Sequence, residues 1–169
     1  MNTFTPLNSA AQRPISVSIE QQPSHTGLQG QNLTPIIYSG TAPVGALSAG
    51  RVVMPPRHLA RAHVHNHTEI IVCVLEGRAA TLWGNDMQPL VHDAGSMVWV
   101  PAGVPHAAVN LSNTDRVVAI EVRTDPAFND DVELLPDLDE VAAEQVRKLL
   151  GDTVAATSAP RTADTSRSA

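Results

Sequence analysis

Gly95-Ser-Met-Val-Trp-Val-Pro101-Ala-Gly103-Val-Pro105-His106-Ala-Ala-Val-Asn110 is the stretch on which the reading of this chain turns. Gly95 permits a tight turn into a short apolar strand, since glycine takes positive φ without steric cost. Pro101 and Gly103 shape the next turn, and that turn delivers His106 to the start of a second strand. A histidine at the mouth of a strand asks for partners. They stand about forty residues upstream, where four of the seven histidines fall in His58-Leu-Ala-Arg-Ala-His63-Val-His65-Asn-His67, with Glu69 two residues on.

Side chains two apart on a strand point to the same side, so His63 and His65 present two imidazoles to one point. A third imidazole from His106 and a carboxylate from Glu69 would complete a donor set suited to Fe, Mn, Ni, Zn or Cu. His67 complicates this. If the chain stayed extended from 63 to 69, five groups would crowd inward, and a turn at 66–68 relieves the crowding by leaving His67 at the rim. The other reading pairs His65 with His67 and moves Glu69 out of contact with the metal.

Outward from these two stretches, residues 36–124 carry short apolar or β-branched runs punctuated by Gly, Pro, Asn and Asp. Evenly spaced short strands without helical patterns between them argue for a β-sandwich or barrel. After Pro136 the period changes. Leu138, Val141, Ala142, Val146, Leu149 and Leu150 fall near helical spacing, with Arg147-Lys148 at the end and Gly151 as a C-cap candidate. The chain thus divides into an N-terminal arm (1–35, partly flexible, with an alternating piece at Ile15–Ile19), a β-barrel (36–136), a C-terminal helix (137–151) and a disordered tail (152–169).

The residues and spacing resemble the cupin superfamily, in particular small single-domain RmlC-like bacterial cupins. The second cupin motif, G-x5-P-x-G-x2-H-x3-N, is met by Gly95, Pro101, Gly103, His106 and Asn110. The first, G-x5-H-x-H-x3/4-E-x6-G, is met by His63, His65, Glu69 and Gly77, with two departures. Seven residues separate Glu69 from Gly77 instead of six, and Arg57 stands where the family often has its leading glycine. The resemblance implies an all-β antiparallel jelly-roll barrel with a short C-terminal helix. It also implies one divalent metal ion held by His63, His65, Glu69 and His106, with Fe(II) first and Mn, Ni or Zn as alternatives.

Several neighbours invite roles. Arg61 precedes His63 by two, so alternation points it inward, where its planar fork would anchor a substrate carboxylate. The rival reading takes it to the barrel mouth. Glu69 and Arg61 are therefore the catalytic candidates. Cys73 and Leu75 share the parity of Glu69 and are expected inward. Trp83 and Trp99 are candidates for a substrate wall, with packing the simpler reading, and Asn110 suits the holding of a loop.

Composition removes whole classes of function. The 169-residue chain suits one domain, and at 3% aromatic its core must be aliphatic. A formal charge of −6 and a single lysine, Lys148, leave no basic footprint for nucleic acid. One cysteine, Cys73, excludes an intrachain disulfide and thiolate clusters. No run approaches the roughly 20 apolar residues that span a bilayer, and no secretory signal is visible, so a cytoplasmic protein is expected. The partners expected are a small-molecule substrate and a second copy, in a homodimer joined by an exchanged strand around Ile15–Ile19.

The function that follows is a mononuclear metal-dependent oxygenase acting on a small organic acid or phenol. Its alternatives are an isomerase, lyase or cyclase that uses the metal without oxygen, and a non-enzymatic small-molecule binder.

Overall fold

The computed structural model describes residues 13–158, with side chains through Gly151. Eleven strands follow in chain order: β1 (His25–Thr26), β2 (Asn32–Ile37), β3 (Ser48–Met54), β4 (His63–His65), β5 (Ile70–Glu76), β6 (Arg78–Trp83), β7 (Gln88–Asp93), β8 (Met97–Val100), β9 (His106–Asn110), β10 (Val117–Arg123) and β11 (Val132–Leu134). A 3₁₀ turn at Pro136–Leu138 leads into one helix, α1 (Asp139–Ser158). The strands form two facing sheets, in the orders β1-β2-β3-β10-β5-β8 and β11-β4-β9-β6-β7, and the strand pairs are antiparallel. This is the antiparallel jelly roll with a C-terminal helix that the sequence led us to expect.

The turns fall where glycine allows them. Gly77 (φ +86) is the single residue between β5 in one sheet and β6 in the other, and a Cβ there would lie 2.5 Å from the Arg116 carbonyl oxygen. Arg57, in the place of the family's leading glycine, takes φ +58, so the turn is kept and the missing glycine appears as backbone strain.

Strand alternation builds the interior. On β3, Ser48, Gly50, Val52 and Met54 are buried while the residues between them are half-exposed. On β10, Val117, Ala119, Glu121 and Arg123 face the same interior. The second sheet is covered on its outer face too. Ala80, Leu82, Ala107 and Val109 pack there with Met87 and Ala142 of α1, flanked by Leu138, Val141, Val146 and Leu149. The apolar stripe read from the sequence is thus the face by which the helix docks.

Two expectations about the ends differ from the structure. The helix does not stop at Gly151 but continues to Ser158, so the stretch read as tail is helical that far, and the remainder lies outside the described residues. An exposed glycine weakens a helix by only about 1 kcal/mol, which is not enough to end one. Ile15–Ile19 is not a strand. Glu20, just beyond it, pairs with Arg51 of the same chain at 3.6 Å, and Ser24 shares a hydrogen bond with Thr34. From Glu20 onward the arm therefore lies against its own sheet.

Candidate metal centre

His63 and His65 leave the same side of β4, and His106 opens β9 directly opposite His63 in the ladder. The rings gather closely: centroids are 4.3 Å apart for His63–His106, 5.2 Å for His63–His65 and 5.5 Å for His65–His106. One nitrogen from each ring lies within 4.8 Å of the other two, and all three residues are buried.

Hydrogen bonding selects the nitrogen each ring offers. His63 Nδ1 meets the Arg61 carbonyl at 2.8 Å, and His106 Nδ1 meets the Val104 carbonyl at 2.9 Å. A carbonyl only accepts, so in the neutral ring the proton sits on Nδ1 and Nε2 keeps its lone pair. His65 has no hydrogen-bond partner on either nitrogen although both are buried. A buried imidazole without a partner is costly, and a metal ion answers that need directly. The three residues therefore fit a divalent metal.

All three rings are held neutral. Burial pushes His63 well below its ordinary value, and His106 beside it adds to the effect. His65 is lowered to about 3, by burial first and then by the Arg123 charge. His106 is lowered by burial, against the opposing pull of the Val104 carbonyl and Glu121. A metal meets no proton to displace.

Glu69 is not part of this group. It is exposed, its backbone N–H donates to Thr124 Oγ1, and its carboxylate accepts the Trp99 indole N–H at 3.0 Å. Alternation along β5 explains the departure. Ile70, Val72 and Val74 line the cavity, so Glu69, Ile71, Cys73 and Leu75 face outward. Cys73 and Leu75 do share the parity of Glu69, but on the opposite side from that expected. The signal was present in the sequence: the extra residue between Glu69 and Gly77 puts Ile70 where the motif's carboxylate would point inward.

Arg61 also departs from expectation. It lies in the irregular approach to β4, where alternation does not yet hold, and its guanidinium is exposed, 3.4 Å from Asp139 at the start of α1. His67 follows a bend at Asn66–His67, is exposed, and donates its backbone N–H to Asp131. It takes no part in the trio. Asn110 holds loops: its side-chain amide reaches the carbonyls of Met54, Pro55 and Asp115. Trp83 and Trp99 are largely exposed, at 46% and 62%.

Two residues that the sequence reading passed over face the site instead. Glu121 and Arg123 lie two apart on β10, are buried, and line the same cavity as the histidines. Arg123 donates from both Nε and Nη2 to Glu121 Oε2, and from Nη1 to Asn129 Oδ1. Its guanidinium also lies 4.5 Å over the Phe128 ring. Phe128 in turn packs against Gly50, where a Cβ would come within 2.4 Å of the ring.

Residues 50–123 match the family model described as a cupin domain. Solved structures sharing the fold include Pac13 from Streptomyces, a nucleoside dehydratase, solved with uridine (15% identity, 73% of this chain and 92% of that one, TM-score 0.58). Peruvianin-I, a cysteine peptidase from Thevetia peruviana latex, gives 21% identity over 80% of this chain and 86% of that one, TM-score 0.60. An oxalate decarboxylase gives 18% identity over 69% of this chain and 30% of that one, TM-score 0.56. At such identities the likeness is one of fold.

Proposed function

From a chain that belongs to the cupin superfamily through residues 50–123, we propose a mononuclear metal-dependent oxygenase acting on a small organic acid. The observation that carries this reading is the convergence of three neutral imidazoles, one with both nitrogens unpartnered, in a cavity that also holds a buried arginine. Imidazole nitrogens suit Fe(II), with Mn, Ni and Zn as alternatives. An ion bound there supplies Lewis acidity and, if it is iron, the electrons for oxygen chemistry.

The protein's own residues do the rest. His63, His65 and His106 bind through one face and leave the cavity side free. Arg123 takes the anchoring role expected of Arg61, because a guanidinium fork matches a carboxylate. Apolar walls from Val52, Ile70, Val72, Val74 and Val100 exclude water. The cavity is about 40 Å³, space for roughly three waters, so a very small acid fits better than a phenolic ring.

The test is metal content, by elemental mass spectrometry, of protein purified without chelator or oxygen, beside His106→Ala. Near-stoichiometric iron, lost in the variant, with oxygen uptake on small acids, is the expected result. Metal-free protein in both cases overturns the reading. One feature favours a second chemistry with the same residues. Arg123 engages only Oε2 of Glu121, leaving the other oxygen to move a proton in an oxygen-independent isomerase, lyase or cyclase. Turnover without oxygen uptake selects it.

A further inference from the structure

Arg123 is restrained by three neighbours. Nε and Nη2 donate to Glu121 Oε2, Nη1 donates to Asn129 Oδ1, and the cation lies 4.5 Å over the Phe128 ring. A guanidinium carries five N–H groups, so three are spent and two remain, one on each Nη. Arg123 lines the cavity, whereas Phe128 and Asn129 do not, so they act on it from outside.

The two outer neighbours are held in an unusual backbone. Phe128 takes φ +61 and Asn129 φ +76, consecutive residues in the left-handed region. Asparagine tolerates that region, but a bulky aromatic rarely enters it, and such strain persists only where the surroundings over-determine it. Here they do. Asp125 accepts from the Ala127 and Asp130 backbone N–H groups, and Gly50 leaves the space that the Phe128 ring fills. Asn129 is fixed in turn by Gln29, which is fully buried. Gln29 Nε2 donates to Asn129 Oδ1 at 3.1 Å, and Asn129 Nδ2 donates back to Gln29 Oε1 at 3.4 Å. That exchange aims the amide oxygen, not the amino group, at Arg123. The Gln29 carbonyl also accepts the Arg61 N–H at 2.8 Å, and the Arg61 carbonyl orients His63. One buried glutamine thus braces both the cation and an imidazole.

Resting on the acid-binding reading above, we propose that Asn129 is the positioning residue for Arg123, fixing its two unspent N–H groups for a small carboxylate in the cavity. Glu121 restrains only the Nε–Nη2 edge, and about that edge the guanidinium is free to pivot. Asn129 removes this freedom at Nη1. A donor fixed before its ligand arrives needs no further ordering on binding. Formate, with three heavy atoms, is the probe that suits a cavity of about 40 Å³.

The test uses the full chain, isotopically labelled at arginine nitrogen, without metal and again with diamagnetic Zn(II). Wild type is compared with Asn129→Gly and Asn129→Asp by nuclear magnetic resonance, and formate binding is followed by calorimetry. Glycine accepts φ +76 and removes the acceptor, whereas aspartate tolerates the same backbone and keeps an acceptor oxygen. In wild type the Arg123 Nη protons should give separate resonances, because the guanidinium cannot rotate. In Asn129→Gly they should merge, and formate should bind about tenfold more weakly, the scale of one well-made hydrogen bond. Asn129→Asp should restore the separate resonances. The proposal is overturned if the resonances stay separate in Asn129→Gly, if they merge with formate affinity unchanged, or if Asn129→Asp fails to restore them. It is also overturned if Zn(II) uptake falls together with formate affinity, which marks a general loosening of the structure. Wild-type protein that shows separate resonances but binds no formate overturns the acid-binding reading alone.

Discussion

The Arg61 and Val104 carbonyls leave His63 and His106 one tautomer each, and burial keeps the imidazoles uncharged. His58 and His92 are lowered by burial as well, so five histidines share the same direction of shift. The unfolded chain therefore binds more protons than the folded one below about pH 6.5. Stability is fully present above that value and is lost as pH falls toward about 3, where His65 titrates in the folded state. Metal-free protein should lose on the order of 1 kcal/mol per buried histidine between pH 7 and pH 5. Urea denaturation across that range checks this, and a flat profile contradicts it. The buried Arg123–Glu121 pair gives a second expectation. Arg123→Met strands a carboxylate and should cost about 3–5 kcal/mol, whereas replacing both residues with Met and Leu should cost much less. Denaturation of the single and double variants decides it. At this scale His63 and His65 were legible from spacing, because strand parity fixes where side chains two apart point, and His106 from the turn pattern of Gly95, Pro101 and Gly103 before it. Glu121 and Arg123 were not, since the sequence does not say which side of β10 faces inward.

Parity also governs the elements. One residue added between Glu69 and Gly77 turns β5 over, so Glu69 meets Trp99 outside and Ile70 enters the cavity. The strands and the helix stripe were legible because turn residues and period mark them. The loss of Glu69 from the site depended on a register that the Gly77 turn sets. That turn is sensitive. Gly77→Ala places a Cβ 2.5 Å from the Arg116 carbonyl oxygen at φ +86, and should cost about 2 kcal/mol or more in thermal or urea unfolding. Arg57→Gly should act in the opposite direction, stabilising by about 0.5–1 kcal/mol, because φ +58 strains any residue with a Cβ. No change in either variant would mean that these turns relax without cost.

On the scale of the whole molecule, the two sheets are covered unequally. The outer face of one lies under α1, and the N-terminal segment reaches the β2–β3 side of the other through the Glu20–Arg51 and Ser24–Thr34 contacts. Beyond that segment Ile71, Leu75, Met97, Trp99 and Val122 are all exposed, and Ile71 sits opposite both Trp99 and Val122 in the ladder. This is a contiguous apolar stripe on β10, β5 and the edge strand β8. Contiguous exposed apolar surface of this kind marks an interaction face. A second copy is the partner we infer: two chains of formal charge −6 repel over most of their surfaces, whereas this stripe is apolar apart from Glu69, whose carboxylate is tied to the Trp99 indole N–H at its end. We therefore predict a homodimer closed across this face, with the arm remaining on its own chain instead of exchanging. Sedimentation of wild type at tens of micromolar should give the dimer mass. Met97→Glu combined with Leu75→Glu should give a monomer with unchanged metal content, since both side chains point away from the cavity. Wild-type protein that sediments as a monomer removes the dimer. A double variant that stays dimeric moves the interface elsewhere, with the N-terminal arm next to be tested by deletion.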